Sequence, residues 1–218
     1  MKRVVVTMDK MDDYLVQFSD NYTVEKNIFL TVPKGYTAIC YIDGKAMYKT
    51  NQVKEDNIVA KVGKDYIGKD LQFAFYSVSL NPEIAYGFGP INVNNDRLKE
   101  AYRIGVNGTM TLVITDYVQL IKYFALNESI SIEDIREKLL PVIKSTGLPI
   151  VSGCFANTNV SVFEIDSMIG DIREEMKKAF VTEKVLDKMG IEVESVTINE
   201  IFVNEDDMEM IREHLNNN

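Results

Sequence analysis

Apolar residues alternate through most of the first 115 positions and recur every third or fourth position afterwards. RVVVTM (3–8) and YLVQF (14–18) are short β-branched or aromatic runs of strand type, with a polar turn from Asp9 to Asp13 between them. NIFLTVPKGYTAICYIDGKAMYK (27–49) continues the strand pattern. Pro33-Lys34-Gly35 has the chemistry of a tight turn. Asp43-Gly44 between two apolar runs predicts a two-residue hairpin. In LQFAFYSVSL (71–80), Leu71, Phe73 and Phe75 share one face and Ala74, Tyr76 and Val78 the other. Apolar residues on both faces predict a central strand. Residues 51–66 are polar with mixed periodicity. YRIGVNGTMTLVIT (102–115) is the last long β run, and Asn107-Gly108 within it reads either as a turn or as a bulge in one strand.

Helical spacing begins at Asp116, an N-cap for Tyr117, Leu120, Ile121 and Phe124. Ser131, with Asp134 three residues on, caps a second helix in which Pro141 either makes a kink or begins a new turn at N1, and which Gly147 ends. LPIVSGCFANTN (148–159) has no firm reading. Ser161 and Glu164 form a capping box for one long helix with its apolar stripe on Val162, Ile165, Ile169, Ile172, Met176, Ala179 and Leu186, stopped at Gly190. IEVESVTINEIFV (191–203) alternates as a strand, yet both faces are mixed and the core face stays unassigned. Asn204 caps a final helix in which Met208, Ile211 and Leu215 make the start of a candidate assembly seam.

These elements give an α+β fold: a β-rich N-terminal subdomain followed by an α/β subdomain with a long helix and a short C-terminal helix. The expected boundaries are 1–100, 101–204 and 205–218. The 218 residues suffice for a real core. A net charge of −9 argues against general nucleic-acid binding, because the chain repels phosphate. No apolar run of membrane-spanning length and no signal-peptide core is expected, so the chain reads as cytoplasmic. Two separated cysteines, Cys40 and Cys154, make no zinc or redox spacing and read as buried thiols.

Candidate chemistry is sparse. The one histidine, His214, lies in the last helical turn, a poor place for a preorganised base. The carboxylate pairs Asp12-Asp13, Glu174-Glu175 and Asp206-Asp207 are adjacent rather than convergent and read as solvated. Gly87-Phe88-Gly89-Pro90 lacks the third glycine of a dinucleotide loop and the lysine of a P-loop, and reads as a structural turn. The expectation is no catalytic residue, no cofactor and no metal site.

Several segments together resemble the SPFH or band-7 superfamily of stomatin, prohibitin and flotillin, and within it the soluble bacterial virion-core-protein-like branch. They are TVPKGYTAICYIDGKA, QFAFYSVS with YGFGPINV, RIGVNGTMTLVITDYVQLIKYF, and FANTNVSVFEIDSMIGDIREEM with MGIEVESVTINEIFV. The last carries the pattern G-I-x-V-x-x-V-x-I at Gly190, Ile191, Val193, Val196 and Ile198. The resemblance implies that the strand near 103–114 lies beside the strand 191–203. It also implies a non-enzymatic scaffold that binds protein partners and self-associates. Most members have an N-terminal membrane anchor and a long coiled coil; neither is visible here, which reads either as a minimal version or as a chain that stops before the coil, with peripheral membrane association left open. Two other readings are a phage- or virion-associated structural protein and a hydrolase with an unrecognised site.

Overall fold

In the computed structural model, residues 3–8, 14–95, 100–124, 129–156 and 160–216 are described, with backbone alone at 95, 100, 101 and 214–216. The fold is mixed α+β. In chain order the strands are β1 (Val4–Val6), β2 (Tyr14–Phe18), β3 (Tyr22–Thr23), β4 (Ile28–Leu30), β5 (Tyr36–Ile42), β6 (Lys45–Thr50), β7 (Asp56–Asn57), β8 (Asp70–Ser77), β9 (Glu83–Asn95), β10 (Glu100–Ile114), β11 (Ile130–Ser131) and β12 (Ile191–Val203). The α-helices are α1 (Ile58–Val62), α2 (Tyr117–Phe124), α3 (Ile132–Ala156), α4 (Ile169–Lys177) and α5 (Glu205–Asn216).

The chain divides into two discontinuous units. The first comprises Met1–Leu80 and Asp116–Ile135, the second Asn81–Thr115 and Arg136–Asn218. The boundary expected at residue 100 falls instead inside an antiparallel pair, because β9 and β10 are hydrogen-bonded neighbours.

In the first unit, β8 is central: β2 and β3 pair with it on one side and β5 on the other, and β6 continues from β5. The Asp43-Gly44 turn has φ of 48° and 72°, the doubly positive geometry that a two-residue hairpin needs. One face of β8 buries Leu71, Phe73 and Phe75 against Val6, Ile28 and Leu30 of a second, three-stranded sheet β1-β4-β7. Burial of each phenylalanine contributes roughly 1.5–3 kcal/mol. On the other face Tyr76 stacks on Tyr117 of α2, with ring centroids 3.6 Å apart. Asp116 caps α2 as expected, its Oδ1 accepting from the amides of Val118 and Gln119. Cys40 is buried in this core, which pushes its thiol pKa up to about 12. Neither cysteine is in a disulfide, and Cys154 is half-buried rather than buried.

The second unit is built on a three-stranded antiparallel sheet, order β12-β10-β9. β10 keeps one inward parity throughout: Ile104, Val106, Gly108, Met110 and Leu112 are buried, and Gly105 is covered from the other side by Phe202. Its neighbours do not, and that is why β12 has no readable core face in sequence. Thr111 and Leu112 pair with Ser195 and Val193, and Asn107 and Gly108 with Glu200 and Ile198. Glu194 and Asn199 are therefore extra residues, two β-bulges that each reverse the alternation. The buried set runs Ile191, Val193, then Val196, Ile198, then Ile201. β9 does the same once, since Ile104 pairs with Ile91 and Val106 with Phe88. Gly89-Pro90 thus lies in a bulge of an edge strand, not in the turn expected there; an edge is where proline's missing N–H is tolerated.

The helices depart further from expectation. Ser131 and Asp134 do form a reciprocal cap, the Ser131 N–H donating to Asp134 Oδ2 at 2.7 Å and the Asp134 N–H to Ser131 Oγ at 3.1 Å. α3 then runs through Pro141, Gly147 and Pro149 to Ala156. Gly147 is not its stop. A Cβ there would lie 2.8 Å from the Phe88 ring and 3.3 Å from Met176 Cε, so the glycine permits close packing. Leu139, Ile143, Gly147, Val151 and Phe155 repeat every four residues as the buried stripe. Against expectation, α3 is long and apolar enough to cross a membrane, with mean hydropathy 1.4 over 18 residues. A mostly buried core helix of a globular protein meets the same test; here 28% of the window is buried. The single long helix expected from Ser161 to Gly190 is a succession of shorter pieces. A 3-10 segment (Val162–Met168) leads into α4, a π-helical turn (Lys178–Thr182) follows, and a 3-10 turn (Asp187–Met189) ends at Gly190, φ 73°.

Candidate functional site

The helices cover only one face of the β12-β10-β9 sheet. Its other face carries Glu83, Ala85, Gly87 and Asn92 from β9, Asn107, Thr109 and Thr111 from β10, and Glu194, Ser195, Thr197, Glu200 and Phe202 from β12, all exposed or half-buried. A polar ladder crosses its middle: the Ser195 hydroxyl donates to Thr111 Oγ1 at 3.0 Å and the Thr197 hydroxyl to the Thr109 carbonyl at 3.2 Å.

At one end of this face lies a hollow of about 510 Å³ lined by residues 87–90 of β9, 103–107 of β10, and Phe202 and Asn204. Its floor is backbone. Gly87 and Gly89 leave β9 bare, and the Phe202 ring lies directly over Gly105, its cross-strand partner. Phe202 is 48% exposed, a large apolar surface that its own unit leaves partly open. The bulge at Asn199 brings this about. Without that second parity reversal in β12, Phe202 would follow Ile198 to the inner face.

The polar groups around the hollow are bonded to one another. The Arg103 backbone N–H donates to Asp207 Oδ2 at 2.7 Å, its Nε to the same oxygen at 2.9 Å, and its Nη2 to Asp207 Oδ1 at 2.8 Å and Asn204 Oδ1 at 3.2 Å. Asp207 is 4% exposed, so the expectation that Asp206-Asp207 is a solvated pair fails for its second member. The Arg103 hydrogen bonds hold the Asp207 carboxyl below the usual range, and the aspartate in turn raises the guanidinium pKa. This ion pair fastens the first turn of α5 to β10. Asn107 Nδ2 donates to Glu200 Oε2 at 3.3 Å.

The seam residues are placed differently from one another. Ile211 is 2% exposed and belongs to the core, so it is not an outward seam position; Met208 is half-buried. The side chains of Leu215 and His214 lie outside the described residues, as do Asp12 and Asp13. Asp207 stands four positions before Ile211, which puts both on the inward stripe of α5. That spacing is the one signal in the sequence for the ion pair. For the hollow the signal was the run of glycines at 87, 89 and 105 with an aromatic residue downstream, which no motif isolates.

A smaller hollow in the first unit, about 340 Å³, is lined by Asn21, Tyr41, Asp43, Gly44, Asp70, Leu71 and Gln72. Its Asp43 is tied to Lys69 at 3.1 Å, and the Asp70 N–H donates to Asp43 Oδ1 at 3.2 Å. Among the described residues no three His, Cys, Asp or Glu side chains converge as metal ligands. Comparison with protein-family models and with curated proteins finds no match to this chain.

Proposed function

We propose that the chain is a non-enzymatic scaffold or protein-interaction module of SPFH type, one that works in the cytoplasm and assembles with itself and with protein partners. The observation that carries the protein-partner part of this reading is the one-sided cover of the β12-β10-β9 sheet; the self-association rests on the resemblance. Its open face bears an apolar hollow with an exposed Phe202, while the polar groups at the rim are engaged with each other. Groups so engaged orient a surface; they do not present a poised acid, base or nucleophile. An apolar hollow beside an exposed aromatic is the anatomy of a contact surface. The adjacent pairing of β10 and β12 accords with the arrangement that the resemblance implies.

Light scattering coupled to size-exclusion chromatography tests the self-association. The expected result is a mass above one chain that falls on dilution. A strict monomer at every concentration would remove the homo-oligomer from the proposal.

A further inference from the structure

We propose that the open face of the β12-β10-β9 sheet docks an extended, lysine- or arginine-bearing segment of a partner protein, with one apolar side chain of that segment seated over Gly87 and Gly89 beside Phe202. This rests on the reading of the chain as a protein-interaction module and states which partner chemistry the surface fits.

Shape is the first argument. Gly87 and Gly89 present bare backbone next to a half-exposed phenylalanine ring, so the hollow offers apolar contact with no side chain filling it. Gly87 is exposed, and a Cβ there would meet nothing closer than the Val106 carbonyl at 3.7 Å. The space above it is open for a guest.

Charge is the second. Glu83, Glu194 and Glu200 are exposed on this face, and among the described residues none has a cation within ion-pair distance. Arg103, which borders the hollow, is neutralised by Asp207. The face therefore carries uncompensated negative charge and complements a cationic segment. A second copy of this chain, itself at −9, is repelled by the same carboxylates, so self-association uses another surface.

Periodicity is the third. An extended segment points alternate side chains to one side. An apolar residue with a cation two positions away points both toward the sheet, the apolar one over the glycines and the cation toward Glu200, which lies level with Gly87 across Asn107. A lysine or arginine near Phe202 also gains from the ring face.

The test is fluorescence anisotropy with a labelled, end-blocked peptide Ser-Lys-Ser-Phe-Ser-Lys-Ser and the intact chain at low salt. The expected result is saturable binding that weakens as salt is added. Gly87→Leu fills the space above the sheet and Glu200→Lys reverses the charge; each is expected to weaken binding by about tenfold or more. The control peptide with glutamate in place of lysine is expected not to bind. Circular dichroism on each variant checks the fold. Glu200→Lys, on the surface, decides the matter if Gly87→Leu does not fold. Failure of the lysine peptide to bind, equal binding of the glutamate peptide, or variants that bind like the parent would each overturn the proposal. Light scattering on the same samples separates the two readings: self-association without peptide binding sinks this inference alone, and peptide binding by a monomer sinks the self-association alone.

Discussion

Asp207 and Gly108 show how much a single position decides in this molecule. Asp207 is buried and ionised, and its pKa lies below that of the same residue in the unfolded chain. Its contribution to stability is therefore present above the ordinary aspartate pKa, about 4, and is lost as pH falls through the depressed folded value. Asp207→Asn is expected to lower Tm by a few degrees at neutral pH, a modest loss because Arg103 is 42% exposed and water takes over its charge. The gap between parent and variant is expected to close below about pH 4. Thermal melts across pH check this; a gap that persists in acid would mean that the pair is not what stabilises α5. Gly108 packs against the Thr197 carbonyl and the Tyr86 ring, so Gly108→Ala forces backbone apart and is expected to cost about 2–3 kcal/mol. Gly87→Ala, with open space at its Cβ, is expected to change stability by less than about 1 kcal/mol. Urea unfolding of the two variants gives the comparison. The thiols offer a third check. Cys40, with its pKa near 12, is expected to resist a thiol reagent at pH 8 until the chain unfolds, whereas the half-buried Cys154, whose thiol is also pushed up by desolvation and by Glu175 and Asp171, is expected to react in the native state but more slowly than a free thiol.

Elements whose local chemistry is self-sufficient were legible in the sequence. The Asp43-Gly44 hairpin, the Asp116 cap, the Ser131–Asp134 cap and the Gly190 stop each depend on residues within four positions, and each forms. Asp116→Ala is expected to destabilise the first unit by about 1 kcal/mol in chemical denaturation, since it orphans two amides of α2. What stayed hidden depends on distant partners. The core face of β12 is unreadable because two bulges, defined only by pairing with β10, reverse its alternation. Gly147 reads as a stop because nothing local announces the Phe88 ring that needs its space. The stretch from Ser161 to Gly190 has a helical stripe, yet it is divided by 3-10 and π turns that tertiary packing imposes on a good helical pattern. The hollow is a product of the same bulges, so it could be no more visible than they were.

Across the whole chain, two units interleave in sequence: α2 and β11 return to the first after β9 and β10 have begun the second. A division by position along the chain places its boundary inside an antiparallel strand pair for that reason. Each unit has its own apolar core, and the second leaves a sheet face uncovered. That face joins an apolar hollow to unneutralised carboxylates, and it is the surface proposed to meet another chain. The measurement that tests this most directly is an amide chemical-shift titration of the labelled protein with the lysine–phenylalanine peptide. The account predicts saturable shifts concentrated at Gly87, Gly89, Gly105 and Phe202, with the amides of the first unit unmoved. Shifts that fall on the first unit, or none at a saturating peptide concentration, would contradict it.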